Sequence, residues 1–357
     1  MDNTRYISSS TNSPEPFTTK WKAPSNIALV KYWGKINPQL PKNTSLSFTL
    51  SSSTTTTEVV FMPNNKKTLE FKFYFEGVLK LDFYPKLKSF FNQINKYIPW
   101  IDSYSLKISS HNSFPHSSGI ASSASSMAAL SMCIMDMERM LFPQITIAEF
   151  NQKASFLARL GSGSAARSIQ GPVTLWGENP LQPGSSDLYA TPFGNNLHPI
   201  FVDYQDTIVL VDKGSKTISS SKGHQLMTNH PFADQRFVQA ENNLVNLVQI
   251  MQTGNLDAFI KIVETEALSL HAMMMTSNPY FILMKPNTLE IIHLVWKFRK
   301  ETQTPLCFTL DAGANLHLLY PKSNKQEVCA FISESIATYC QDGQYLFDEV
   351  GSGAKKV

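Results

Sequence analysis

From Trp21 to Phe83 apolar and polar residues alternate along the chain. β-Branched and aromatic side chains recur at every second place in SLSFTLSSSTTTTEVVF and in LEFKFYFEGVLKLDF, with PNNKK between them. This is the period of half-buried strands joined by a turn. SFFNQINKYI has the spacing of a short helix, and SYSLKISSHN returns to the strand period. Thr146 stands three residues before Glu149, a capping-box signature, so TIAEFNQKASFLARL is predicted as a helix that stops at Gly161. GSGSAARSIQG follows as a Gly/Ser turn opening a short helix. Gly177 to Pro199, rich in Pro, Gly, Asn and Ser, marks the domain boundary. Beyond it TIVLVDK reads as a strand, and Asp234 to Met251 and Leu256 to Met273 place apolar residues three and four apart, as long helices do. PNTLEIIHLVWKFRK is a further helix with Pro at its start, LCFTLDAGANLHLLY two strands about a tight loop, and QEVCAFISESIATYC a last helix. Strands followed by helices in each half predict α+β lobes rather than a doubly wound parallel sheet. Residues 1–17 are polar, Ser-rich and broken by Pro, and are expected to form a loosely attached arm.

Composition narrows the class. A chain of 357 residues that is 42% hydrophobic can bury the cores of two lobes. A net charge of +3, with no Lys/Arg-rich run, points away from nucleic acid as a partner. No stretch of about 18 apolar residues and no signal-peptide core occurs, so a soluble, cytoplasmic protein without a membrane partner is expected. Cys133, Cys307, Cys329 and Cys340 lack metal-ligand spacing and read as buried thiols in a reducing compartment. His116 and His317 have no ligand neighbour at i+4, so zinc is not indicated.

The run PHSSGIASSASSMAAL, residues 115 to 130, has the composition of a phosphate cradle entering a helix. Gly119 allows a tight turn, and Ser117, Ser118, Ser122 and Ser123 offer hydroxyls to phosphate oxygens or a magnesium ion. Ala124, Met127, Ala128, Leu130 and Ile134 form an apolar stripe, which sets the amides of Ser122 to Ser125 at the positive end of a helix. A Ser-rich linker ahead of an ordinary core helix would have the same composition. No GxxxxGK[ST] motif and no protein-kinase loop set occurs, so a nucleotide would have to be held by this cradle.

Three more places carry candidate chemistry. Asp311 lies between the apolar LCFTL and the loop AGAN, where a carboxylate with restricted solvent either caps its own turn or serves a purpose. Lys31 and Lys35 flank Tyr32 and Trp33; two lysines four apart are ordinarily a solvated face. Arg167 of GSGSAARS is predicted in the first turn of a helix, unfavourable with the dipole, so a fork that reads a carboxylate explains it better than a structural role.

Four segments, APSNIALVKYWGK (23–35) followed by PKNTSLSFTLSSSTTTT, then PHSSGIASSAS, ARLGSGSAARSIQG (158–171) and FTLDAGANLHLLY (308–320), together resemble the diphosphomevalonate decarboxylases of the GHMP small-molecule kinase superfamily. The resemblance runs in order from Ala23 to Tyr320. It implies a two-lobed fold: an N-terminal GHMP kinase domain over 18–199, a ferredoxin-like C-terminal lobe over 200–357, and an active-site cleft between them. It implies ATP and Mg2+, with Ser117, Ser118, Gly119, Ser122 and Ser123 around the phosphates, magnesium on the hydroxyls of Ser122 and Ser123, and Asn112, with Asn43 and Ser45, as lesser nucleotide contacts. Asp311 matches the base that takes the proton of the substrate's tertiary hydroxyl, in a loop where Ala314 replaces the family's Pro. Lys31 matches an active-site ammonium beside it. Tyr32 and Lys35 match contacts to the substrate's phosphate end, whereas Trp33 reads as packing. Ser162, Gly163 and Ser164 accompany Arg167 on the substrate, and Ser220, within Ser219 to Ser221, matches a substrate-contacting Ser that could equally be part of a solvated loop. The family's diphosphate-binding Arg is missing, since no Arg lies between Arg5 and Arg139. Lys86 or Lys88 would stand in, which leaves a monophosphate substrate open. The implied activity is conversion of mevalonate 5-diphosphate to isopentenyl diphosphate by a homodimer. The alternatives are a phosphomevalonate decarboxylase, a 3-kinase that stops at the phosphate, and a catalytically silent nucleotide-binding protein.

Overall fold

The computed structural model describes residues 3–9, 15–36, 38–115, 120–193, 196–214 and 220–357, without the side chains of 220 and 221. Its first lobe is built on an eight-stranded sheet in which Phe17–Val30, Ser45–Pro63, Tyr104–Asn112 and Glu70–Phe75 lie side by side. The first three run antiparallel, and Glu70–Phe75 joins parallel to Tyr104–Asn112. Helices Ser122–Leu141 and Ile147–Gly161 cover one face, burying Met127, Leu130, Phe156 and Leu160 against Val59, Phe61 and Ile108. The capping box at Thr146 forms, its hydroxyl accepting the Glu149 N–H while the Glu149 carboxylate accepts the Thr146 N–H.

The second lobe carries an antiparallel four-stranded sheet in the order Cys307–Thr309, Leu316–Tyr320, Gln205–Val209, Tyr345–Glu349. Helices Ala233–Thr253, Leu256–Met275 and Pro286–Thr302 pack on this sheet to form much of the lobe's core. The architecture is α+β, as the strand and helix periods predict. An apolar seam joins the lobes: Ile27, Leu29 and Phe48 of the first sheet pack with Tyr204, Leu247 and Phe259 of the second lobe.

One feature of the long strand Ser45–Pro63 locks this seam. Its pairing with Phe17–Val30 shifts register between Pro24 and Asn26. Proline has no N–H to give to the ladder. At the break the amides of Ser51, Ser52 and Ser53 donate instead to the carboxylate of Asp348, at 2.9, 2.8 and 2.7 Å. The last strand of the second sheet thereby closes the gap in the first.

Three expectations need correction. The N-terminal arm is fastened over part of its length: Tyr6 is only 3% exposed, stacks on Phe156 with ring centroids 4.1 Å apart, and Ser8 donates its amide to Tyr97. An aromatic ring this deep in a core outweighs the polarity around it. The chain end does not stay in the second lobe, since Lys355–Lys356 pairs with Trp21 and Lys22 at the edge of the first sheet. The predicted last helix is α-helical only over Lys325–Phe331, then widens to a π turn over Ile332–Ile336 and tightens to a 3-10 turn over Ala337–Tyr339, with Val328, Ile332 and Ile336 all buried.

Cys133, Cys307 and Cys340 are buried and Cys329 is half-buried, all as thiols. Tyr6→Ala is expected to cost about 3 kcal/mol, the scale of emptying an aromatic site in a core. Urea unfolding checks it, and a loss under about 0.5 kcal/mol, typical of a surface change, would mean that the arm is not fastened.

Candidate active site

The apolar run Ile27 to Val30 closes the first strand, and the next residue, Lys31, is carried into the seam between the lobes. Its side chain is 1% exposed and its Nζ donates to Asp311 Oδ1 at 2.9 Å. An ammonium stripped of water needs such a partner. Burial lowers the Lys31 pKa, the carboxylates of Asp311 and Glu266 pull it back up, and Arg167 presses it down again. Asp311 follows the short strand Cys307–Thr309, and 33% of its side chain remains open, toward a cavity. Burial acts to raise its pKa, but Lys31 first, then His317 and Arg167, hold the carboxyl below the ordinary value. Asp311 is therefore an ionised base at neutral pH.

Helix Leu256–Met275 fixes both members of this pair. The Lys31 backbone N–H donates to Glu266 Oε2 at 2.8 Å, and His271 Nε2 lies 3.1 Å from the Asp311 carbonyl oxygen. Glu266 is fully buried and accepts three further hydrogen bonds, two from the Arg236 guanidinium at 3.1 and 2.5 Å and one from Asn243 at 2.7 Å. Four donors on one carboxylate fix its position.

Arg167 lies in the last turn, not the first, of the 3-10 helix Gly163–Ser168. A cation suits that end, so the dipole argument from sequence does not apply; its burial and partners distinguish it. Its Nη1 donates to Ser45 Oγ at 2.6 Å and its Nε to Asn26 Oδ1 at 3.4 Å, while Asn26 Nδ2 is tied to Ser168 Oγ at 2.7 Å and the Ser164 carbonyl at 3.2 Å. Burial lowers its pKa to about 10, opposed by Asp311 and Tyr32, so it stays charged. Among the described residues Nη2 has no partner, which leaves one arm of the fork for a ligand.

These groups face one cavity of about 550 Å³. Tyr32, Lys35, Ser162, Gly163 and Ser164 line it as well, and Ser122 and Ser123 stand where helix Ser122–Leu141 opens onto it. No side chain caps that helix, whose preceding residue Ala121 takes the left-handed conformation, φ 44°. Among the described residues the amides of Ser122 and Ser123 have no partner at the positive end of this 20-residue helix, whereas the Ala124 N–H donates to the Ala121 carbonyl. Beyond the helix start the wall turns aromatic, with Phe73, Phe75 and Phe83 beside Thr57 and Ser110, whose hydroxyls lie 3.0 Å apart. Tyr32 also encloses this space; among the described residues its hydroxyl is buried without a partner, and a Cβ at Gly163 would stand 2.9 Å from it. Lys35 Nζ donates to Gln39 at 3.2 Å, and burial lowers its pKa.

Not every candidate converges. Asn112 Oδ1 accepts from Thr55 within the sheet, and Asn112 is not on the cavity wall. Asn43 is spent on the carbonyls of Lys31 and Thr44, and Ser45 on Arg167. Lys86 is on the wall and Lys88 is not. Ser117, Ser118, Gly119 and the side chain of Ser220 lie outside the described residues. Trp33 packs in an apolar cluster with Met227 and Leu270, as expected. Local sequence does not single out Asn26 or Glu266: Asn26 follows Ser25 and Glu266 follows Glu264 and Thr265, so neither stands apart from its neighbours. No group of three His, Cys, Asp or Glu suited to a metal occurs among the described residues.

Two family models divide the chain between them. The diphosphomevalonate decarboxylase-like N-terminal domain matches residues 23–187, and the mevalonate 5-diphosphate decarboxylase C-terminal domain matches residues 207–353. The diphosphomevalonate decarboxylase of Ganoderma lucidum is 30% identical over 359 residues, 94% of this chain and 86% of its own. The chain belongs to the diphosphomevalonate decarboxylase family. Solved structures agree. The mevalonate diphosphate decarboxylase of Staphylococcus aureus superposes with a TM-score of 0.82 at 28% identity, over 96% of this chain and 98% of that one. The enzyme from Enterococcus faecalis gives 0.80 at 28%, over 96% and 99%. A complex of MDDEF with MVAPP, AMPPCP and magnesium gives 0.82 at 29%, over 96% and 99%.

The Glu266 network predicts a pH effect. Replacing Glu266 with Gln removes a negative charge that raises the Lys31 pKa, so the alkaline limb of kcat, already below lysine's ordinary ~10.4, is expected to move to still lower pH. Loss of the anchored amide is expected to lower kcat by about 10- to 100-fold. Asn243→Ala, which removes a single donor, is expected to shift kcat in the same direction by less. A pH–kcat profile with an unmoved alkaline limb would show that Glu266 does not act on Lys31.

Proposed function

We propose that the cavity carries out the ATP-dependent decarboxylation of mevalonate 5-diphosphate, giving isopentenyl diphosphate, ADP, phosphate and CO₂. The observation that carries the residue assignments is that an ionised Asp311 paired with Lys31 and a half-satisfied Arg167 guanidinium face one space. Asp311 takes the proton of the substrate's 3-hydroxyl while that oxygen forms a bond to the γ-phosphorus and the bond from phosphorus to the ADP oxygen breaks. Lys31 offsets charge gathering on the transferred phosphoryl group. The new phosphate then leaves with the electron pair of its C–O bond. The electrons of the carboxylate's C–C bond form the alkene as CO₂ departs. Arg167 holds the carboxylate so that this bond is aligned with the departing phosphate.

The helix-start amides and the hydroxyls of Ser122 and Ser123 are the groups for the ATP phosphates, and the aromatic end of the cavity has room and stacking surface for the base. Magnesium prefers few protein ligands and keeps phosphate and water oxygens, so two serine hydroxyls without an acidic cluster fit it; when bound it neutralises phosphate charge. Tyr32 and Lys35, with Ser162, Gly163 and Ser164, take the substrate's phosphate end, and Lys86 supplies the cation that the missing arginine would. The same proposal assigns the nucleotide to residues 18–199 and the proton-accepting Asp311 to residues 200–357, and includes a homodimer in the cytoplasm on family membership. No helix among the described residues is long and apolar enough to cross a membrane.

With mevalonate diphosphate, ADP and CO₂ are expected in equal amounts, followed together by coupled ADP and ¹⁴CO₂ assays; ADP without CO₂ would make the chain a kinase. Asp311→Asn, which keeps size and removes the base, is expected to lower kcat by about 10² to 10⁴ with little change in KM. Retention of more than about a tenth of kcat, well short of the cost of a missing base, would overturn the role of Asp311.

A further inference from the structure

Helix Ser220–Leu226 brings one side chain to the cavity that neither the helix start nor the Lys31–Asp311 pair accounts for. His224 is 9% exposed, lines the cavity, and lies between two rings, its centroid 4.3 Å from that of Tyr32 and 4.7 Å from that of Trp33. Gly223 permits the approach, since a Cβ there would stand 2.4 Å from the Trp33 ring. His224 Nδ1 accepts the Gly34 N–H at 3.0 Å. Gly34 is fixed in turn: its φ is +110°, and a Cβ would meet the Phe237 ring at 2.7 Å.

A backbone N–H can only donate, so Nδ1 must present its lone pair. The one proton of the neutral ring is therefore on Nε2. Protonating Nδ1 would set two hydrogens against each other in a buried place. The charged groups acting on the ring, Lys35 from strand Lys35–Ile36 and Arg167 from the 3-10 helix, are both cations, and beside them lies the neutral Tyr32. Burial first, then Lys35 and Arg167, push the His224 pKa down to about 3. His224 is thus a neutral donor across the physiological range. Among the described residues Nε2 has no hydrogen-bond partner, and a rigidly held N–H on a cavity wall gains most from an acceptor that a ligand brings.

We propose that His224 is a substrate-binding residue whose Nε2–H donates to an oxygen of the substrate's diphosphate, beside Tyr32 and Lys35. This rests on the placement of the phosphate end at Tyr32 and Lys35. It also adds to what Lys86 supplies in place of an arginine, absent between Arg5 and Arg139: a directed hydrogen bond without a further positive charge next to Lys35 and Arg167.

The test compares His224→Ala, His224→Gln and Lys35→Ala by steady-state kinetics, with imidazole ¹⁵N NMR of the wild-type protein from pH 5 to 8. His224→Ala is expected to raise KM for mevalonate diphosphate about 10- to 100-fold, the scale of a hydrogen bond to a charged acceptor. KM for ATP is expected to stay within about twofold, and His224→Gln, which keeps an N–H near Nε2, to recover most of the loss. In the wild type the ring is expected to remain the Nε2–H tautomer throughout, with Nε2 shifting when mevalonate diphosphate is added without ATP. A ring that titrates in this range, or an Nε2 signal indifferent to that substrate, overturns the proposal even where a variant fails to fold. Lys35→Ala separates the two assignments: if it weakens substrate binding and His224→Ala does not, only the role of His224 falls, and if neither does, the phosphate end lies elsewhere.

Discussion

A lysine ammonium that is 1% exposed cannot stay charged without an anion against it, and in this protein that anion belongs to the other lobe. Lys31 leaves the end of the first strand of the first sheet; Asp311 leaves the end of a strand of the second. Their 2.9 Å contact makes the approach of the lobes and the charge state of the base one condition. The ammonium keeps Asp311 ionised where burial would protonate it, and the carboxylate keeps Lys31 charged where burial would strip its proton. Removing either partner would leave the other uncompensated, an outcome that costs about 3–5 kcal/mol for buried pairs in other proteins.

The pair is held by its backbone as much as by its side chains. Helix Leu256–Met275 reaches the Lys31 amide through Glu266 and the Asp311 carbonyl through His271. Arg236 and Asn243 from the neighbouring helix Ala233–Thr253 then fix Glu266. Asp348 does comparable work for the frame, taking the three serine amides freed at the register break. In both places a buried carboxylate from the second lobe satisfies backbone donors that the first lobe cannot pair within itself. Orphan amides are costly when buried, so each contact also fixes where the lobes meet.

The cavity walls are electrostatically uneven. Arg167, Lys31, Lys35 and the uncapped helix start all favour negative charge, and Asp311 is the one carboxylate on the wall among the described residues. Such a space favours a polyanionic pair of substrates over neutral ones and concentrates the single base where the hydroxyl must sit. Ser45 on Nη1 and Asn26 on Nε hold the Arg167 guanidinium in place and leave Nη2 to an anion.

Much of this was legible in the chain. Local periods determined the strand-rich first half, the helix starting at Thr146 with its capping box, and the two long helices after residue 232, because these depend on neighbours within a turn or a pleat. The motifs placed Lys31, Arg167, Asp311 and the serines of the helix start, since each sits where a regular element ends and its composition departs from the element's own needs. What tertiary structure alone decided were matters of distant contact. Tyr6 lies in a polar stretch, and only Phe156, 150 positions on, makes it core. Asn112 has the look of a loop asparagine until Thr55 claims it across the sheet. Glu266 and His224 are unremarkable as letters in a helix. They become functional groups because folding sets one against the Lys31 amide and the other against the Gly34 amide, and a hydrogen bond between residues some 190 to 235 positions apart leaves no trace in any local pattern.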